Sequence, residues 1–484
     1  MNRKSIVTNA FLNTLKTVLS YVFLLVTTPY VMKVLQVNAI GVFDFCNSVV
    51  SYFVLIAGLG VGTYAIREGT RYRENAIEIK RFVSEIFSIN VYSTIVSYAL
   101  LFLSLILIPK LQANSIAILI LSIEIVFTTI GVSWVCNIYE DFWFIALQSI
   151  GVQALSLVLT LLFVKEPSDL YIYIIIVAFS KSASNIINFI YIRTKYCHFV
   201  FTLDCNIKKH FKPILTIFST AIAMTIYVSA DTTMIGFIFS EYQVGLYGTA
   251  AKIYQIVKNV LASVLIVLVP RFVLLLKNPD KNVTNSFFSK VFNILIVLIF
   301  PATIGLVITS EDVIRLAGDE NYLGGADALK LLSLAIAFSL IATLYASCIL
   351  IPKRKEKTVF KATVISAITN VALNFVFIPI LGINGAAITT IIAEAIVCAI
   401  FVFDTKGEVK LQGVIKNFIS VVLGCIGIAI VGYFCFRYFD YYLYRLSITI
   451  VASVIIYALI LGLMRNPVLL EGIQRFRMRR SNHI

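Results

Sequence analysis

IGVFDFCNSVVSYFVLIAGLGVGTYAIR occupies residues 40–67, and VGLYGTAAKIYQIVKNVLASVLIVLVPR occupies residues 244–271. The first opens Ile40-Gly41-Val42-Phe43 and ends on Arg67. The second opens Val244-Gly245-Leu246-Tyr247 and ends on Arg271. Both anchors share one offset (40 to 244, 67 to 271), so no gap separates them. Each stretch can cross a bilayer, which takes about 20 mainly apolar residues at about 1.5 Å rise per residue.

The rest of the chain repeats that signal. Of 484 residues, 60% are hydrophobic and 13% charged, and the mean hydropathy is +0.93. Soluble domains are nearer half apolar and a quarter charged, so the bilayer is the solvent that suits this composition. Applying the span rule gives helices over 9–33, 39–66, 82–108, 115–138, 142–164, 169–192, 213–239, 241–270, 286–310, 326–351, 361–380, 384–404, 413–436 and 443–464. Pro109, Pro167, Pro213, Pro279 and Pro352 fall at or near the breaks, where helices stop or start. The expected fold is all-α, with about fourteen transmembrane helices. The apolar run after Met1-Asn2-Arg3-Lys4 is too long for a signal peptide and reads as the first span.

The two quoted stretches are both even-numbered spans entering from the same side. Equal parity implies parallel repeats related by an axis along the membrane normal. The expected organisation is an N-terminal lobe at 1–192, an inter-lobe loop at 193–212 and a C-terminal lobe at 213–404. Two appended spans at 405–464 and a basic tail at 465–484 complete it.

Orientation follows from the cations. With the N-terminus inside, the inside loops hold Arg71, Arg73, Lys80 and Arg81, then Arg193, Lys195, Lys208, Lys209 and Lys212. Further inside loops hold Lys277, Lys281 and Lys290, then Lys353, Arg354, Lys355 and Lys357, then Lys406 and Lys410. Outside loops hold only Lys33, Lys110, Lys165, Arg315, Arg437 and Arg445. This bias places both termini in the cytoplasm. One short inside loop, Tyr139 to Asp141, has no cation. The formal net charge of +15 is thus topological and faces the anionic leaflet. No basic domain stands apart to bind nucleic acid.

Catalytic and metal chemistry find little support. Gly58-Leu59-Gly60-Val61-Gly62 lacks the Lys-Ser/Thr pair of a phosphate loop. Cys197, His198, Cys205 and His210 lack zinc-ligand spacing and read as scattered loop residues. A membrane glycosyltransferase needs a sizeable extramembrane loop, which these short connections do not supply. The chain reads as a transporter without a cofactor, not an enzyme.

Chemistry concentrates on polar residues inside the spans. Lys16, Lys181, Lys252 and Lys258 lie deep, as do Asp44, Glu124, Asp231 and Glu394. A charge at mid-membrane costs about 2.5–3.5 kcal/mol on insertion scales, and such residues face water-filled cavities or one another. Their neighbours recur at helical spacing. Span 1 carries Asn9, Asn13, Lys16 and Ser20, and span 2 carries Asp44, Asn47, Ser48 and Ser51. Span 8 carries Lys252, Gln255, Asn259 and Ser263, with Lys258 beside them. Polar stripes in both lobes point to a shared cleft. There Lys16, Lys181, Lys252 and Lys258 would bind an anionic group, and Asn13, Asn47, Gln255 and Asn259 would bond to sugars. Helix-to-helix glue is the competing reading, and Lys181 could pair with an acid of its own lobe. The four acids could couple transport to Na⁺ or H⁺, or simply balance lysines.

Several of these residues carry a family likeness. Leu12-Asn13-Thr14-Leu15-Lys16, Thr28-Pro29-Tyr30-Val31, Ile40-Gly41, Asn47-Ser48, Ser51-Tyr52-Phe53 and Tyr64-Ala65-Ile66-Arg67-Glu68 resemble the start of Wzx-type polysaccharide flippases. Asp231 to Gly236, Val244 to Tyr247, Ala250-Ala251-Lys252-Ile253 and Pro270-Arg271 extend the resemblance. Where such relatives have Leu-Gly before the second span, this chain has Leu35-Gln36. The resemblance implies the multidrug/oligosaccharidyl-lipid/polysaccharide exporter fold. It also implies an undecaprenyl-diphosphate-linked oligosaccharide as cargo, moved by alternating access for surface polysaccharide assembly, alongside other assembly proteins of the membrane. Lys16, Asn47, Asp231 and Lys252 lie in the matching motifs. A multidrug-type exporter and a lipid II flippase are the alternatives on the same fold.

Overall fold

The computed structural model describes residues 6–275 and 280–471. The helices are α1 (Ile6–Gly58), α2 (Val61–Gly69), α3 (Ala76–Leu107), α4 (Pro109–Ala113), α5 (Ser115–Ile130), α6 (Trp134–Ile138), α7 (Phe142–Phe163) and α8 (Leu170–Lys195). They continue as α9 (Ile207–Ile238), α10 (Glu241–Leu275), α11 (Lys281–Ala317), α12 (Ala326–Tyr345), α13 (Glu356–Leu381), α14 (Ile383–Asp404), α15 (Val414–Tyr438) and α16 (Tyr442–Leu463). Among the described residues, twelve helical runs are long and apolar enough to span a membrane. The first of them, Val22–Gly69, holds two spans, because Gln36 breaks α1 with φ 63° and ψ 174°. The 35-residue α10 adds another. The protein is therefore an all-α, multi-pass membrane protein with about fourteen spans.

Gln36 explains the Leu-Gly preference noted above. Its backbone lies in a region open in practice only to glycine, where any other residue costs about 1–3 kcal/mol. Gln36→Gly should therefore raise the thermal midpoint of the purified protein. A lowered midpoint would show that the Gln36 side chain contributes more than its backbone strain costs.

Two compact units divide the chain, Met1–Gly245 and Leu246–Ile484. The first unit therefore takes in α9 and the start of α10. The reason is that α9 packs on the second half of α1. Phe45 meets Phe237 edge-on at 5.4 Å, Tyr52 Oη lies 3.2 Å from Thr233 Oγ1, and the Thr233 hydroxyl donates to Ser48 Oγ at 2.9 Å.

The glycines of the echoed stretches meet within the first unit. The first turn of α10 crosses α1 just beyond the kink. A Cβ on Gly41 would lie 1.7 Å from the Glu241 carbonyl oxygen, and one on Gly245 would lie 2.2 Å from the Val37 carbonyl oxygen. Beside this crossing, Lys110 on α4 pairs with Glu241 at 2.9 Å, and Asn114 Nδ2 donates to the same carboxylate at 3.3 Å.

At the opposite end of the unit, the loop without cations is held by cations from other loops. Arg73 reaches Glu140 at 3.0 Å, and Lys195 reaches Asp141 at 2.8 Å. Tyr191 and Tyr196 also donate to Asp141. Burial alone would raise the Asp141 carboxyl, but the Lys195, Tyr191 and Tyr196 donors hold it well below the usual carboxylate range. Nearby, His210 is fully buried. Its Nδ1 lies 2.7 Å from Tyr64 Oη and its Nε2 lies 2.9 Å from Glu85.

The second unit anchors α15 and α16 onto α11. Pro301 deprives the Val297 carbonyl of its helical donor, and the Tyr457 hydroxyl takes that place at 2.8 Å. Asn417 Nδ2 donates to Asn293 Oδ1 at 2.9 Å, and Asn466 Nδ2 to Asn417 Oδ1 at 2.7 Å. Asn370 and Asn374 serve as glue between α13 and α14, bonding to each other and to Thr389.

Candidate functional site: a polar cleft in the first unit

Four membrane helices bring polar side chains to one cavity of about 460 Å³, lined by Asn47, Ser51, Glu124, Lys181, Thr225 and Ser229 together with apolar neighbours. Asn47 and Ser51 come from α1, one turn apart. Glu124 comes from α5 and Lys181 from α8, while Thr225 and Ser229 sit one turn apart on α9. Lys181 Nζ donates to Glu124 Oε2 at 2.7 Å and to Asn47 Oδ1 at 3.3 Å. Ser51 Oγ lies 3.3 Å from Ser229 Oγ. The cleft thus concentrates an ammonium, a carboxylate, an amide and three hydroxyls in one place. Its size lies within the range of small-molecule sites.

The second unit holds a smaller cluster. Lys258 lies 3.5 Å from Glu394 Oε1 and 5.0 Å above the Tyr254 ring. The Tyr254 hydroxyl donates to the same carboxylate at 3.2 Å, and both Tyr254 and Glu394 are buried.

The sequence-derived candidates sort accordingly. Asn47, Lys181 and Glu124 converge on the cleft, and Lys258 and Glu394 form the second cluster. Lys181 and Lys258 each lie beside a carboxylate, and Lys181 pairs with an acid of its own unit. Lys252, Asp44 and Asp231 are all engaged, the two acids being buried. Lys16 is part-buried on α1, its carbonyl accepting the Ser20 hydroxyl at 2.9 Å. Gln255 and Asn259 are part-buried on α10. The side chain of Asn13 lies outside the described residues, as do that of Arg271 and the tail beyond residue 471. Sequence reasoning singled out Asp231 on α9 but missed the hydroxyl wall that Thr225 and Ser229 form there. The spacing of Thr225, Ser229 and Thr233 at i, i+4 and i+8 is the signal that marks it. Among the described residues, no group of His, Cys, Asp or Glu could hold a metal ion.

Residues 6–276, more than half of the chain, match the family described as "Polysaccharide biosynthesis protein". The chain belongs to that family. All of the first unit beyond residue 5 lies inside the match, and with it the polar cleft. A protein of Escherichia coli (strain K12) described as "Putative O-antigen transporter" is 21% identical over 399 residues, covering 80% of this chain and 94% of its own. The fold is that of the solved lipid II flippase MurJ in its inward closed conformation. That structure gives a TM-score of 0.73 at 18% identity, across 96% of this chain and all of the other. An inward-facing multidrug resistance MATE transporter of the MOP superfamily gives 0.56 at 13% identity, across 80% of this chain and 93% of its own. This member of the polysaccharide biosynthesis protein family thus has the fold shared by flippases and exporters of that superfamily.

Proposed function

We propose that the protein is a flippase for an undecaprenyl-diphosphate-linked oligosaccharide, carried by alternating access from the cytoplasmic to the outer leaflet of the bacterial inner membrane. Both termini then lie in the cytoplasm. The observation that carries this reading is the cleft around Lys181, in a chain of the polysaccharide biosynthesis protein family. A diphosphate entering the membrane must exchange its hydration for charge-assisted hydrogen bonds. Lys181 offers an ammonium held ready by Glu124, and the arriving phosphate displaces that carboxylate. Asn47, Ser51, Thr225 and Ser229 match sugar hydroxyls, which both donate and accept. Lys16 and Asn13 are further candidates on the first unit, and Lys252, Lys258, Gln255 and Asn259 are the second unit's own candidates for polar or anionic contacts. Glu124, released from Lys181, takes up a proton or Na⁺, and Glu394 does the same for Lys258, with Asp44 and Asp231 balancing charge. An apolar groove of about 460 Å³ in the second unit, between α11, α15 and α16, suits an isoprenoid chain.

A pair test separates substrate binding from structural glue. Removing one member of a partly buried ion pair is costly, while replacing both with apolar residues is often near neutral. Lys181→Ala should abolish surface polysaccharide, and Lys181→Ala/Glu124→Ala should leave it absent although the protein folds and inserts normally. Full recovery in the double variant would reduce the pair to glue. Deleting the gene should accumulate the unexported lipid-linked repeat unit. Accumulation of lipid II instead would favour the activity that the MurJ-like fold also houses.

A further inference from the structure

Residues 196–206, between α8 and α9, run as a strap along α3. The Val200 N–H donates to Ser84 Oγ at 3.2 Å and the Thr202 N–H to Ser88 Oγ at 2.8 Å. Those serines stand one helical turn apart on α3, so the strap ascends that helix. Phe199 is buried between Phe87 at 5.1 Å and Phe189 at 5.6 Å, and Phe201 meets Tyr92 edge-on at 5.6 Å. Cys197 and Cys205 are buried at the strap's two ends.

The other side of the strap is bare. Leu203 is 80% exposed and Val200 54%, with Phe201, Ile207, Phe211 and Leu215 also exposed. Lys208, Lys209 and Lys212 are exposed among them. Lys209 leans over the Tyr72 ring at 5.5 Å, which leaves Lys208 and Lys212 outward. Asp204 is the acid exposed on the strap itself, and its N–H donates to Thr202 Oγ1.

Depth along α3 says what covers this face. The helix ends at Leu107, ahead of Pro109. A hydrocarbon layer of about 30 Å at about 1.5 Å per residue reaches back some 20 residues from there, to a level between Ser84 and Ser88. The strap therefore lies where headgroups meet acyl chains. Its apolar side chains continue the exposed surface of Tyr92, Ile95 and Val96 on the same helix. Segments with an apolar face and flanking lysines lie in this plane and favour anionic lipid.

We propose that the strap and the first turn of α9 form a docking surface for anionic phospholipid. Acyl chains pack on Val200, Phe201 and Leu203, and headgroup phosphates sit on Lys208 and Lys212. This surface is independent of the cargo and of the cleft around Lys181. What reads in the sequence as an inter-lobe loop in water is an interfacial element that ties the start of α9 to the bilayer.

The test uses the full chain in nanodiscs of phosphatidylcholine or phosphatidylglycerol. Phe201→Trp, with Leu203→Trp as a second probe, adds emission to that of Trp134 and Trp143. In lipid brominated near the glycerol end, the added emission should fall by about half, with little quenching by aqueous iodide. Iodide quenching without bromine quenching in both variants would overturn the proposal and leave the strap in water, free for a soluble partner. In the second arm, bound lipid is counted by mass spectrometry after detergent extraction. Lys208→Gln/Lys212→Gln should lower the retained phosphatidylglycerol about tenfold relative to phosphatidylcholine. An unchanged ratio would overturn the anionic preference.

Discussion

Arg445→Ala should destabilise the protein by about 3–5 kcal/mol, the usual result of stranding one member of a buried ion pair. The Arg445 guanidinium engages both oxygens of Asp312, with Nε donating at 2.9 Å. It also lies 4.2 Å from the centre of the Phe436 ring. Asp312 is fully buried near the end of α11, so removing Arg445 strips its carboxylate of the cation that it pairs with. The pair fastens the start of α16 to α11. Arg445→Met/Asp312→Leu should recover most of the loss, because it removes the stranded charge along with its partner. The check is thermal unfolding of purified protein in detergent. A single variant as stable as the parent would mean that Asp312 finds another donor or a proton at little cost.

Replacing Gly41 with valine should be at least as damaging. Overpacking within a core costs about 1–3 kcal/mol when side chains can shift. At Gly41 the obstacle is the backbone carbonyl of Glu241, which cannot rotate away without unwinding the first turn of α10. Gly245 meets the backbone of Val37 in the same way. Gly41→Val should therefore lower the thermal midpoint, and Gly41→Ala should show a weaker form of the same loss. Gly62→Ala provides the control, since nothing lies within 4 Å of its added Cβ. A Gly41→Val protein with an unchanged midpoint would show that the two helices can part there freely.

Much of this architecture is legible in the sequence, because a bilayer imposes a length on every apolar run. The spans and their breaks follow from that constraint alone. The echo at residues 40 and 244 contains Gly41 and Gly245, and only the fold shows that they pack against each other's helices. Pairings such as Lys181 with Glu124, 57 residues apart, carry no local signature. They depend on how α5 and α8 rotate about their own axes, which apolar composition does not fix. The division at Gly245 is hidden for the same reason. Nothing local in the 207–238 stretch says that its hydroxyl face will seat on α1. Gln36 is the converse case. It is visible as a departure from a family pattern, and the fold supplies its meaning through a backbone angle.

The loop between α6 and α7 has a consequence for how the chain is made. Its own residues, Tyr139 to Asp141, carry no positive charge. Arg73 emerges from the ribosome before the loop, and Lys195 emerges only after α7 and most of α8. In the folded protein the turn is thus held from both sides of it in the sequence, by Arg73 on Glu140 and by Lys195 on Asp141. Neutralising Lys195 would therefore weaken the grip on a turn synthesised some fifty residues before it, and leave its own neighbourhood comparatively well anchored.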